Sequence, residues 1–564
     1  MARACSAFGL GIGVAVAVTA AVAGAQPAPA PRAPAPTTQA QEPWSDPDPA
    51  TPPTRYVIGD FGFRGGAEYR AQFVAVTPIA LNSDVDPNAS WIEHRLRLDA
   101  AADYKDKVAI VASVDALDGV LWGDNGSLGG DPGSNAGTNV AARNPNVTTP
   151  CIAYRKGDAL SPSAYGYVAC SAAPFTLRKL YGDVLLPFGL LRVGRQPVSP
   201  GTGVQAADGD GRPNRFGVSG TGSIVDRALF ATKPLEVLKP PAERDKTEEG
   251  LVVAAAYDRW VTDDPEAPGQ AVHQIDAALR FRAAELGLAR DVFASGYFIH
   301  RWDEQYATSV NGLGLRSMAR FGDLRAGIDL ALNVGSTREV SAAYHLITND
   351  PVAPQAILQG GGRAVVRYDR RYYSLYLEGD YASGDGDPRQ RTPLTQFVWA
   401  YDTNVGLLLF KRVLAYQTAR AAAAADELLH RLGASSYPAE QISTRGAFTD
   451  AVALFPQLDV HPYKNVLVRT GVLAAWAPAP VIDPVASLKA RDGTRIKDDL
   501  VNYVGGKPGR FYGVELDARL QYRVYEHFLF DLEGAILFPG DALRDVDGYA
   551  VRSTLVQART TFVL

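Results

Sequence analysis

From Phe511 to Val524 the chain reads FYGVELDARLQYRV and changes character at almost every step. Val514, Leu516, Ala518, Leu520 and Tyr522 share one parity, and Glu515, Asp517, Arg519, Gln521 and Arg523 share the other. Side chains alternate sides along a strand, so such a segment is apolar on one face and charged on the other. The pattern recurs along the chain. Arg95, Arg97 and Asp99 oppose Leu96 and Leu98; Asp276, Arg280 and Arg282 oppose Ile275, Leu279 and Phe281; Arg325, Asp329 and Asn333 oppose Ile328, Leu330 and Leu332. After the N-terminus no run reaches the roughly 20 apolar residues of a membrane helix. Strands with one greasy face can cross lipid only as a closed barrel, because closure pairs every backbone group.

The first residues carry an export pattern. Arg3 precedes the apolar stretch from Phe8 to Val22, and Ala23-Gly24-Ala25 ends it with small residues. Residues 1–25 therefore read as a secretory signal, and 26–60, rich in Pro and Ala, as an extended periplasmic linker. Residues 61–564 are expected to form the barrel. Eighteen strands are read at about 66–76, 91–104, 107–118, 175–185, 189–195, 224–232, 249–259, 272–285, 288–302, 308–321, 323–335, 361–369, 372–383, 445–456, 465–476, 511–524, 527–538 and 549–563. Short joins follow even-numbered strands and long joins follow odd ones, except 233–248, long for a turn, and 303–307, short for a loop; the alternation matches periplasmic turns and outer loops. That parity excludes Leu394 to Phe410 as a spanning strand. The sequence beyond it, rich in Ala up to Gly433, predicts a helix inside an outer loop. Such a helix either narrows the lumen or lies on the loop surface. The fold class is thus all-β, an antiparallel transmembrane barrel of the outer membrane with long extracellular loops, one of them helical.

Strand phase places Arg95, Arg97, Asp99, Arg280, Arg282, Arg316, Arg320, Glu515, Asp517, Arg519, Arg523 and Arg559 on the inner face as candidate pore-lining residues. Both signs occur, so a mixed field is expected; paired, the same residues would brace the wall. Cys151 and Cys170 are expected to form a disulfide, since an exported chain meets an oxidising compartment. The net charge of −5 speaks against nucleic acid as a partner. No motif with a nucleophile and base is present, so no enzyme activity and no cofactor are expected. No metal site is assigned: Asp385 and Asp387 in a glycine-rich turn are two hard ligands, too few for a calcium site on their own.

LRVGRQPV (Leu191 to Val198), VDRALFATKP (Val225 to Pro234), LEGDYASGDGDP (Leu377 to Pro388) and the stretch from Tyr512 to Gly540 resemble blocks of alginate-export-like outer-membrane porins. The resemblance implies an eighteen-stranded channel passing small hydrophilic or anionic solutes, polysaccharide included, with arginines at its constriction. The expected partners are outer-membrane lipid, the solute and the barrel-assembly machinery. A different class of function stays open: a non-conducting barrel that displays its surface loops in a structural or adhesive role.

Overall fold

The computed structural model describes residues 55–79, 81, 89–123, 153–155, 165–167, 173–198, 202–205, 214–218, 223–245, 247–262, 272–387, 392–400, 403–432, 442–490, 500–525 and 527–564. The signal segment and the two cysteines lie outside them. In chain order the strands are β1 (Arg55–Ile58), β2 (Phe61–Thr77), β3 (Ala89–Tyr104), β4 (Val108–Gly123), β5 (Ala153–Arg155), β6 (Tyr165–Tyr167), β7 (Ala173–Leu186), β8 (Gly189–Pro197), β9 (Ile224–Thr232), β10 (Gly250–Thr262) and β11 (His273–Leu286). They continue as β12 (Ala289–Asp303), β13 (Thr308–Phe321), β14 (Leu324–Thr337), β15 (Gln355–Asp369), β16 (Tyr373–Ala382), β17 (Ala451–Tyr463), β18 (Val466–Trp476), β19 (Phe511–Val524), β20 (Phe528–Pro539) and β21 (Ser553–Val563).

Apart from the β5–β6 hairpin, these strands form one 19-stranded sheet. Eighteen of them, β2 to β4 and β7 to β21, pair with chain neighbours antiparallel, and β21 returns to β2 to close the barrel. Closure reaches the last residue: Ala67 N donates to Leu564 O at 3.0 Å and Leu564 N to Ala67 O at 2.8 Å. Below that point β2 outruns β21, and the short β1 pairs Arg55 to Ile58 against Arg64 to Phe61 on the edge left open. An unpaired edge is costly, and β1 covers it. The linker assignment of 26–60 is corrected here, because residues 55–58 are a strand.

Leu516, Leu520, Leu532, Ile536, Val556 and Phe562 are among the exposed large apolar side chains of the outer face, while Arg519, Asp531, Glu533 and Arg559 are buried inside. Aromatic groups gather at the strand ends: Tyr69, Phe528 and Phe562 near the periplasmic turns, Trp476 and Phe511 near the outer loops. An apolar band between aromatic girdles is the outside of an outer-membrane barrel. Among the described residues no helix is long and apolar enough to cross a membrane.

Each of the eighteen strands overlaps its sequence-predicted position, but several boundaries move, three of the starts for visible reasons. β17 starts at Ala451 and not at 445, because the residues before it turn inward: Thr449 Oγ1 donates to Phe397 O at 2.7 Å, and Arg445 and Asp450 have positive φ. β15 starts at Gln355, where Ile357 forms a parallel bridge to Leu394. β21 starts at Ser553, since Tyr549 sits in a turn with its N–H on Asp545 Oδ1 at 2.8 Å. Leu394–Phe410 is not a spanning strand.

Candidate functional site: a lumen narrowed by two inserted loops

The join after β16 folds into the barrel. It carries a π-helical turn, Leu409–Leu414, that runs into a helix, Ala415–Arg431, and every residue from Val405 to Tyr416 is buried. They pack with Phe397, Trp399 and Phe448 against inward apolar wall residues such as Val74, Trp91, Phe455 and Leu473. The π-helical turn and the start of the helix lie in the lumen, while the rest of the helix packs on other outer-loop residues, Ala422, Ala425 and Leu429 against Ile442 and Val485.

A wall carboxylate fixes its start. Glu515 Oε1 accepts the N–H groups of Leu407 and Leu408 at 2.7 and 2.8 Å, and Oε2 accepts that of Leu409 at 2.6 Å. The first N–H groups of a helix have no internal partner and carry partial positive charge, so a buried carboxylate suits them. One turn on, Arg412 lies over the ring of Trp91, 4.9 Å from its centroid. Asp517, two residues along β19, is also buried on the inner face.

A second inserted segment comes from the join after β8. Arg363 donates to Thr202 O at 2.7 Å, Gln205 bonds Asn333 at 2.8 Å, and Tyr297 Oη donates to Gln205 at 2.8 Å. Gly314 leaves room for that tyrosine, since a Cβ there would meet the ring at 1.7 Å. Further along, Arg215 binds Asp459 at 2.9 and 3.1 Å and lies over Tyr376 at 3.8 Å. Arg469 and Arg519 donate to Arg215 O at 2.6 and 2.8 Å, and Glu533 accepts Gly217 N–H at 2.7 Å. The two inserted segments touch at Gly203, whose φ of +103° brings its backbone against the Thr403 side chain.

The sequence-predicted residues fall into three groups. Arg95, Arg97, Glu515, Arg519 and Arg559 are buried in ion pairs or backbone bonds. Arg95 meets Glu68 at 2.5 Å, Arg97 grips Asp115 at 2.6 and 2.8 Å, Arg519 meets Asp531 at 2.8 Å, and Arg559 meets Asp531 and Glu533 at 3.0 and 3.1 Å. Arg280, Arg282 and Arg316 form a group on β11 and β13, where Arg282 and Arg316 lie over Phe293 at 5.4 and 5.1 Å and Arg282 also meets Glu248 at 2.5 Å. Asp99, Arg320 and Arg523 are nearer water. Arg320 is exposed beside a periplasmic turn, with Nε on Gly322 O at 2.8 Å, and Arg523 is half-buried on the inner face. Asp99 lines an open cavity of about 280 Å³ at the periplasmic end, together with Arg64, Asp103, Lys179, Asp183 and Arg192.

Other inward charges complete the lattice. Arg227 bridges Asp258 and Asp276 at 2.5 and 3.1 Å, Arg363 bridges Glu378 and Asp380 at 2.5 and 3.1 Å, and Arg192 grips Asp183 at 2.6 and 2.8 Å. Arg192 and Arg227 were recoverable from their apolar flanks, Leu191 and Val193, Ala228 and Phe230. Arg215 and Arg412 sit on loops and carry no periodic signal. Asp385 accepts the N–H groups of Asp387 and Thr395 at 3.0 and 3.2 Å, so backbone donors occupy its oxygens. No group of three or more metal-ligating side chains occurs among the described residues.

No protein-family model and no curated protein matches the chain. Solved structures similar to it include Acinetobacter baumannii OccAB1, 10% identical over 89% of this chain and 96% of that one with a TM-score of 0.47. Pseudomonas aeruginosa OccK2 (OpdF), solved in complex with glucuronate, is 10% identical over 89% and 98% with a TM-score of 0.43. The outer membrane protein OpdK of the same organism is 10% identical over 89% and 98% with a TM-score of 0.41. None of these names speaks of alginate export.

Proposed function

We propose that this protein is an outer-membrane porin passing small hydrophilic or anionic solutes by passive diffusion. The carrying observation is the lumen itself: an eighteen-stranded wall lined by ionised groups, narrowed by two anchored loops and opening at its periplasmic end into a charged cavity. Barrels of sixteen to eighteen strands enclose more space than their own side chains fill. Ionised residues are retained in a membrane span where they face water or one another. The alginate-export-like resemblance favours an anionic, sugar-like solute, and the arginines stacked on Phe293 suit such a group, since guanidinium recognises carboxylate.

The purified barrel should give ohmic single-channel steps in planar bilayers. Absence of any conductance from folded, heat-modifiable protein would reject the reading. It would favour the second one, a non-conducting barrel, for which the apolar packing of residues 407–416 in the lumen is the specific support.

A further inference from the structure

We propose that the extracellular rim of β10–β12 is a docking site for the phosphorylated headgroup of a lipid in the outer leaflet. Four rings form a slab on the lipid-facing side. Tyr257 stacks on His273 at 6.0 Å, His273 on Trp302 at 5.5 Å, and His300 on Trp302 at 5.4 Å, with interplanar angles of 25°, 21° and 23°. Polar bonds hold the slab: Tyr257 Oη and His273 Nδ1 are 2.7 Å apart, and His300 Nδ1 is 3.0 Å from Asn311 Oδ1.

Register sets the height of this slab. Arg259 pairs with His273 and His273 with Trp302, and the next outward row below holds Tyr257, Ile275 and His300. Beneath it come Ala255, Ala277 and Phe298, the start of the apolar band. The neighbours that share the strands, Asp258, Gln274, Asp276 and Arg301, are buried on the inner face, so the rings and Arg259 belong to the outside. Arg259 is exposed and makes no ion pair among the described residues; the adjacent Asp226 is held by Arg195 at 2.9 and 3.1 Å. A cation and imidazole donors thus stand directly above apolar rows.

On β16, β17, β18 and β20 the outward ends at this rim are Tyr381, Val452, Trp476 and Phe538, whereas the neighbouring β8 and β9 carry the Arg195–Asp226 pair. Aromatic residues alone satisfy a membrane interface. The outward row Arg195, Asp226 and Arg259 leaves one cation in excess, which an anion would satisfy, and the apolar rows beneath suit an anion that carries acyl chains. An arginine at headgroup height above an apolar band attracts anionic lipid.

Native mass spectrometry of the folded barrel, titrated with bis-phosphorylated lipid A and with the same glycolipid freed of phosphate, tests the proposal. Wild type should prefer the phosphorylated form by about tenfold, the scale of one charge-assisted contact. Arg259→Gln combined with His273→Gln should bring that ratio close to one, and Arg259→Gln alone should give part of the loss if the double variant does not assemble. Lys105→Gln, at a periplasmic turn, should leave the ratio unchanged. An equal affinity for both lipids in wild type would overturn the proposal. So would an unchanged preference in the folded variants or full displacement by millimolar inorganic phosphate.

Discussion

Arg519 carries its charge where neither lipid nor bulk water reaches it. Its side chain is 1% exposed, shares Asp531 with Arg559, and donates to the backbone of an inserted loop. Removing one member of a buried pair leaves the other without its counter-charge, so Arg519→Met should cost about 3 kcal/mol. Arg523, four residues on along the same face, is half-buried nearer the mouth, and Arg523→Met should stay within about 0.5 kcal/mol. Leu516 faces lipid on the same strand, 41% exposed, and Leu516→Arg should cost about 2–4 kcal/mol near the midplane. Urea midpoints for refolding into vesicles measure all three, and equal effects of the two arginine variants would contradict the distinction between bracing and lining. The same reasoning explains why Arg97→Glu is not a neutral charge swap: it would set a carboxylate against Asp115.

At the scale of elements, the inserted helix depends on one wall side chain. Glu515→Ala removes the acceptor of three N–H groups and should release the loop, raising single-channel conductance and current noise without loss of the barrel's heat-modifiability. Unchanged conductance would show that apolar packing alone holds the helix. The same loop has a pH-sensitive end. Burial pushes the Asp450 carboxyl well above the usual carboxylate range, and nearby Asp385 adds to that; burial also raises Asp385. A carboxyl raised in the folded state binds its proton more tightly there than when unfolded. Its contribution is therefore full below the ordinary carboxylate pKa and is lost as pH rises through the raised value. Protection of the Ala479 amide, which donates to Asp450 Oδ1 at 3.1 Å, should increase on acidification from about pH 8 to about pH 5. Asp450→Asn should flatten that dependence. These loops also mark where sequence reading ends. Most spanning strands announced themselves through alternation, because lipid and lumen impose opposite chemistry on successive residues; the short β8 and β9 did so weakly, and β12 left its phase open. β1 did not, since its four residues follow a Pro-rich stretch and exist to cover the edge beyond Leu564. The helix after Leu408 was legible as a helix, but the entry of its first turns into the lumen rests on Glu515, more than a hundred positions later in the chain.

For the whole molecule the decisive quantity is the net field along the lumen. Most inward arginines are matched within 3.1 Å by carboxylates, as in the Arg97–Asp115, Arg192–Asp183 and Arg469–Asp459 pairs. Opposite charges at contact distance cancel beyond a Debye length of about 8 Å in physiological salt. The periplasmic cavity shows the same balance, with Arg64, Lys179 and Arg192 facing Asp99, Asp103 and Asp183. Weak selectivity should follow, in contrast to a pore lined by one sign. Asp99 is the place to tip it, because it is exposed on the cavity wall while Asp103 is engaged by Arg55 at 2.6 Å and Asp183 by Arg192. Asp99→Arg should shift the reversal potential in a salt gradient toward anions and leave folding intact, since water and not lipid surrounds that position. Asp183→Arg should instead impair assembly by setting two guanidiniums together. A reversal potential unmoved by Asp99→Arg, in a channel that still conducts, would place the ion path away from the β2–β8 side of the barrel.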